Sequence, residues 1–238
     1  MKKTTKCISA LALTGMILIS GPTFATVKNN PVKGKIPGNT LVCDSCGKDA
    51  GTTLKTNMRK LWEDHVTWTR NVIFCLVDNL PGADQAVNRL MKNQEDIGNA
   101  VASYYGADAG KKLTELLKSH ISISADVVKS AKASNNAALD EANKKWFANA
   151  DEISAFLSKA NPKWELGEMK KMMHDHLKLT TDEAVQRIKK NYEADIAAYD
   201  KVHDEILKMA DMLTEGIVAQ FPDKFKAGKV KTQKVAEK

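Results

Sequence analysis

From residue 54 to residue 222, apolar side chains recur every three or four positions, which is the period of an amphipathic α-helix. Glycine and proline fall mainly between the periodic segments, at places such as Pro81, Gly106 and Pro162, where one helix would end before the next begins. No run of alternating β-branched residues indicates a strand. The pattern predicts an all-α protein, a six-helix bundle that forms a single domain over residues 54–222.

One motif recurs on the first, third and fifth periodic segments. Two apolar and two polar residues precede a histidine, and an apolar, a polar, an apolar and a Ser or Thr residue follow it: LWEDHVTWT, LLKSHISIS and MMHDHLKLT. The histidines are His65, His120 and His176, at nearly equal spacing. The intervening segments carry the related strings NQEDI, NADEI and HDEI. These patterns predict that the bundle is built from three αα-hairpin repeats.

The hairpin prediction places the repeated positions in space. In an antiparallel pair of helices, residues at equal distance from the turn lie at one level of the bundle. Stacked hairpins would therefore form one internal polar layer from the side chains of His65, His120, His176, Asn93 or Gln94, Asn149 and His203.

The residue types leave three functions open for this layer. Neutral histidines hydrogen-bonded to the paired helix would fix helix register, which is the structural interpretation. A transition metal or a haem could instead be held by His65, His120, His176 and His203. The third possibility is a hydrolase or transferase with a histidine base. No nucleophile elbow, phosphate loop, H-E-x-x-H or paired-carboxylate motif supports that possibility, so the sequence favours a non-enzymatic protein.

Two residues are special to the first copy of the motif. Trp68 and Arg70 have no counterpart in the other two copies, so we expect any unique ligand-binding site near them, together with Asn93 and Asn149. Arg70 is expected to pair with an acid such as Asp96 or with an anionic ligand.

The N terminus has the pattern of an export signal. Lys2, Lys3 and Lys6 precede a short apolar run over residues 8–20, and small residues end at Ala25, which predicts a cleaved signal peptide over residues 1–25. An uncleaved anchor is the alternative, but it requires a longer apolar run. The prediction is therefore a secreted, periplasmic or cell-envelope protein.

Two further segments flank the predicted bundle. Residues 26–53 lack any period and are expected to form a flexible leader, in which Cys43 and Cys46 make a local disulfide in an oxidising compartment. A redox or metal-transfer arm is the alternative for this C-x-x-C pair.

The C-terminal segment, residues 223–238, is predicted to be a disordered basic tail. It carries six lysines and accounts for much of the net charge of +7. No base-stacking aromatic residues are interleaved with these lysines, so nucleic-acid binding is not expected. A solvated terminus is the favoured interpretation, and weak contact between the tail and an anionic envelope surface is the alternative.

Longer strings within residues 61–225 resemble a family of small bacterial all-helical proteins. The strings are LWEDHVTWTR, NQEDIGNAV, WFANADEI, MMHDHLKLT and MADML. The resemblance implies the same helical fold over most of the chain. It implies no reaction, cofactor or partner, because that family has no established activity.

Overall fold

The computed structural model describes residues 50–226. The predicted signal peptide, the Cys43–Cys46 disulfide and the tail beyond residue 226 lie outside the described residues. The described part consists of helices and turns, which confirms the all-α bundle. The six helices are α1 (Ala50–Asp78), α2 (Ala83–Tyr105), α3 (Ala107–Lys132), α4 (Asn136–Ala160), α5 (Leu166–Ile188) and α6 (Tyr192–Gln220), followed by a 3₁₀ turn (Pro222–Phe225).

The turns show why the helices end where they do. Asn79, Ser134 and Lys190 each adopt a positive φ just after a helix, which reverses the chain direction. The side-chain oxygens of Asn135 and Asn191 then accept a hydrogen bond from the first turn of the next helix. The boundary between α5 and α6, which has no glycine or proline, is thus set by a left-handed lysine and an asparagine cap.

The start of α2 differs from the pattern suggested by its sequence. Asp84 has the residue type of an N-cap, but Gly82 occupies the N-cap position with φ 88°. Asp84 instead lies in the first turn, where its carboxylate faces the positive end of the helix dipole.

The helices form a closed antiparallel ring. Each helix packs against the next one along the chain, and α6 packs against α1. Arg59 bonds Asp211 and Arg70 bonds Asp195, so α1 and α6 run in opposite directions. The odd-numbered helices also contact one another. We therefore call α1, α3 and α5 the inner helices and α2, α4 and α6 the outer helices.

The apolar core is uneven along the bundle axis. One large cluster fills the end where α1 begins and α6 ends, and Met58, Trp164 and Ile217 are almost completely buried there. Packing there is tight, since a Cβ added to Gly216 would lie 2.0 Å from Nε1 of Trp164. At the opposite end, which holds the turns after α1, α3 and α5, the core divides into two small clusters. We call this second end the turn end.

Within the described residues, none of the helices combines the length and apolar character that a membrane span requires.

Candidate functional site: a histidine layer beneath a cleft

Each inner helix carries one buried histidine that bonds a side chain of the outer helix following it. The pairs are His65 with Gln94, His120 with Asn149, and His176 with Glu205. In all three pairs the partner lies 29 residues after the histidine. We call the three pairs the histidine layer. The separation is the same in all three hairpins, while the internal repeat stays a prediction from the sequence.

His120 has both ring nitrogens occupied. Its Nδ1–H donates to Oδ1 of Asn149 at 2.8 Å, and its Nε2 accepts from the indole N–H of Trp146 at 3.0 Å. An indole nitrogen can only donate, so Nε2 carries no proton and the ring is the neutral Nδ1–H tautomer. Burial, together with the nearby His176, lowers the pKa of His120 to about 3.

His65 lies in similar surroundings on α1. The amide nitrogen of Gln94 lies 3.3 Å from Nδ1 of His65 and also donates to the carbonyl of Leu90 and to Oδ1 of Asn93 at shorter distances. The ring of Trp62 packs edge-on against the imidazole. Burial lowers the pKa of His65 well below its usual value, and the neighbouring histidines lower it further. His65 is therefore held neutral at physiological pH.

His176 differs from the other two in having a carboxylate partner. Its Nδ1 lies 3.0 Å from Oε2 of Glu205, while the second carboxylate oxygen, Oε1, is buried without a protein partner. The imidazole rings of His176 and His65 are 5.7 Å apart between centroids. Glu205 also lines a surface groove between α5 and α6, so this pair reaches from the interior toward solvent.

The two predicted asparagines support the layer from the outer helices. The side-chain amide of Asn93 donates to the carbonyl of Leu61, and that of Asn149 donates to the carbonyl of Leu116. Each amide thus bonds the inner helix one turn before the histidine. This interaction ties the two helices of a hairpin together at the level of the layer.

The prediction that His203 belongs to the layer is wrong. His203 is about one-third exposed, and its Nε2 bonds Glu63 on α1. Glu205, two residues later, bonds His176 instead. Two residues rotate a helical position by about 200°, so His203 and Glu205 face opposite sides of α6.

The predicted metal set is therefore not assembled as four histidines. Among residues 50–226, no three His, Cys, Asp or Glu side chains converge in a way that could hold a metal ion. His174, beside the layer on α5, is also partly exposed, and it bonds Asp151.

Arg70 pairs with buried acids on α5 and α6, which corrects the expectation that it pairs with Asp96. Its guanidinium lies 2.6 Å from Glu183 and 2.9 Å from Asp195, and both carboxylates are almost completely buried. Asp96 instead lies near Lys92 on its own helix.

A second arginine extends this network at the turn end. Arg187 bonds Asp195 at 3.3 Å and also Asp78 at the end of α1. We call these five residues the arginine cluster: Arg70, Asp78, Glu183, Arg187 and Asp195. The cluster joins α1, α5 and α6.

Glu183 in this cluster has a strongly shifted pKa. Burial raises its pKa to about 7, since Arg70 offsets only part of the cost of burying the charge and Asp195 repels it further. Its protonation state therefore changes near neutral pH. The electrostatic interaction with His176, which is also on α5, favours the ionised form.

Trp68, the other residue singled out by the sequence, lies on the outside of the site. Its ring packs against the small cluster around Leu90, and the guanidinium of Arg89 lies 5.4 Å from the ring centroid. Trp68 makes no contact with the histidine layer among the interactions that the structure shows.

A cleft of about 80 Å³ lies above the layer, on the side of the turn end. His65, His120 and His176 form its floor, and apolar residues of α1, α3 and α5 form its walls. It lies between the two small core clusters, one around Val72 and the other around Ile73. The histidine layer therefore separates a tightly packed end from an end with an internal space.

Comparison of the chain with protein-family models, with curated proteins and with solved structures gave no match. The resemblance to a family of small bacterial helical proteins accordingly stays a prediction from the sequence.

Replacing Glu183 with Gln tests the raised pKa. Because the folded-state pKa exceeds that of an unfolded glutamate, the native protein gains stability as pH falls below 7 and loses it as pH rises through 7. The free energy of unfolding of wild type relative to E183Q should fall by about 2 kcal/mol between about pH 5 and about pH 8. Urea unfolding at several pH values measures this difference.

The control for this experiment is E152Q, which makes the same charge change at an exposed position of α4. The difference in free energy of unfolding between E152Q and wild type should stay nearly constant with pH. A pH-independent difference for E183Q, or one that grows as pH rises, would contradict the assignment.

Proposed function

We propose that this protein is an exported, non-enzymatic helical bundle that acts in the cell envelope by binding, and that its histidine layer is mainly structural. The export part of the proposal rests on the pattern of residues 1–25. Its test is the intact mass of protein recovered outside the cytoplasm. A chain beginning at Thr26 there supports export through a cleaved signal, whereas recovery of the full-length chain from the cytoplasm alone contradicts export.

The observation that carries the structural role is the pairing within the layer. Each histidine bonds a polar partner on its own hairpin, at the same separation of 29 residues. A shift of one helix along another would leave these buried groups without partners. Buried polar groups are costly when unpaired, so such pairs favour one helix register over others.

The protonation of the layer supports a non-enzymatic function. A general base works best when its pKa lies near the pH at which the enzyme operates. Burial lowers the pKa of His120 to about 3 and that of His65 well below its usual value. Rings so poorly basic suit a fixed hydrogen-bond network better than proton transfer.

A double-mutant cycle tests the structural role of the layer. His120→Leu leaves Asn149 and Trp146 without their partner, so the variant should lose about 1–3 kcal/mol of unfolding free energy. Adding Asn149→Leu removes the orphaned amide, and the double variant should lose less than the sum of the two single variants. Denaturant unfolding measures all three.

The matched control for the cycle is His203→Leu on the partly exposed face of α6. This variant should stay within about 0.5 kcal/mol of wild type. An H120L variant as stable as H203L, or a cycle without coupling, would contradict the structural role.

Metal binding is a second candidate that one observation favours. Two layer histidines, His65 and His176, lie 5.7 Å apart between ring centroids, and the carboxylate of Glu205 orients one of them. A carboxylate behind a histidine is a common arrangement in metal sites. A haem is less suitable, because the cleft of about 80 Å³ is far smaller than the pockets that hold large ligands.

The metal candidate is tested on the purified mature protein. Elemental analysis and a thermal shift with Zn²⁺, Cu²⁺ or Fe²⁺ are measured for wild type and for His176→Gln. If the layer is structural, we expect substoichiometric metal and no metal-dependent rise in melting temperature. Stoichiometric metal that is lost in H176Q would instead establish the second candidate.

A further inference from the structure

We propose that the cleft above the histidine layer binds a small neutral molecule with a hydrogen-bonding head and a short apolar tail, such as a short-chain alcohol or amide. The inference rests on the proposed binding function and names the site and ligand class for it. It is carried by the lining of the cleft, its volume and its unpaired polar groups.

The floor of the cleft offers unused hydrogen-bonding capacity. Thr180 lines the cleft, and its hydroxyl is buried without a protein partner. Nδ1 of His65 bonds Gln94 and Nδ1 of His176 bonds Glu205, whereas Nε2 of neither ring bonds another described residue. By contrast, both nitrogens of His120 are occupied.

The hydrogen-bond partner of Nδ1 in each ring determines whether Nε2 of that ring is a donor or an acceptor. Nδ1 of His65 faces the amide nitrogen of Gln94, which can only donate, so the proton of that neutral ring is assigned to Nε2, which becomes a donor. The carboxylate of Glu205 accepts from Nδ1 of His176, so Nε2 of that ring, when neutral, is an acceptor. With the hydroxyl of Thr180, the floor provides a donor, an acceptor and a group that can be either.

These three hydrogen-bonding groups suit a ligand with a neutral head group. An alcohol or an amide both donates and accepts, so it can use all three groups. Among the residues that line the cleft, none is an aspartate, glutamate, lysine or arginine, so a charged ligand would find no opposite charge there. Burying an uncompensated charge is far more costly than burying a paired neutral group.

The walls and the volume of the cleft limit the size and polarity of the ligand's apolar tail. The side chains that face the space above the floor are mainly small and apolar: Val72, Ile73, Ile121, Val127, Val128, Ala131, Ala184 and Val185. A cavity of about 150 Å³ holds benzene, so this smaller cleft suits roughly three to four non-hydrogen atoms. Half-buried residues on α3, α4 and α5, including Ser124, Asn143 and Thr181, also line the cleft and mark a route to solvent.

The experiment is a chemical-shift titration of the full mature protein with propan-1-ol, following the backbone amides of Thr180 and Ala184. We expect saturable shifts confined to the cleft, with a dissociation constant on the order of 1 mM for so small a ligand. Thr180→Val should weaken binding several-fold, since it removes one hydrogen bond to the head group. Ala184→Val, which fills the cleft, should abolish binding.

The matched control is Thr214→Val, which removes a similarly buried threonine hydroxyl on α6, away from the cleft. It should bind propan-1-ol as wild type does. Shifts that rise linearly without saturation, equal affinity of T180V and T214V, or binding that persists in A184V would each overturn the proposal.

The experiments distinguish a failure of the ligand proposal from a failure of the proposed function. The His120 cycle measures unfolding of the ligand-free protein, and metal analysis requires no alcohol. An absence of propan-1-ol binding together with a coupled His120 cycle would reject the ligand class alone. Stoichiometric metal at His176 would reject the structural role of the layer, whatever the titration shows.

Discussion

The hydrogen bond between a buried histidine and a side chain on the next helix is the constraint on which this bundle depends. It occurs three times, at a separation of 29 residues each time. Hydrophobic contacts between helices tolerate sliding, whereas a buried imidazole tolerates only a position where its partner is present. Below the layer, large apolar side chains pack tightly around a cavity of only about 10 Å³. Above the layer, the inner helices surround a cleft. The histidine layer is therefore the boundary of the large core cluster and the floor of the proposed binding site.

The turn end needs a second set of interactions, because its apolar core is divided. The arginine cluster provides them by joining α1, α5 and α6 through two buried carboxylates, Glu183 and Asp195. The ring of Phe74 lies against both guanidinium groups. Its centroid is 4.5 Å from Cζ of Arg70 and 3.8 Å from Cζ of Arg187. Arg70 is therefore a largely buried tie between helices rather than an exposed anion site.

The sequence predicted the helices well, since their apolar period depends only on local spacing. It also predicted that His65, His120 and His176 are buried at corresponding positions. It placed His203 in the layer wrongly. The equal distance from the turn gave the height of His203 along the bundle axis, but not the side of α6 on which its side chain lies. The separation of 29 residues, applied to His176, would have selected Glu205. The partners of Arg70 could not be read from any period, because they lie more than 100 residues away on helices whose packing the sequence does not specify.

The most direct test of the account is the protonation state of the layer, measured by long-range nitrogen–proton NMR of the histidine rings. We predict that His120 is the neutral Nδ1–H tautomer and stays neutral down to about pH 5, because burial and Trp146 both oppose its protonation. A His120 ring that carries its proton on Nε2, or that becomes charged near pH 6.5 as a free histidine does, would contradict the central claim.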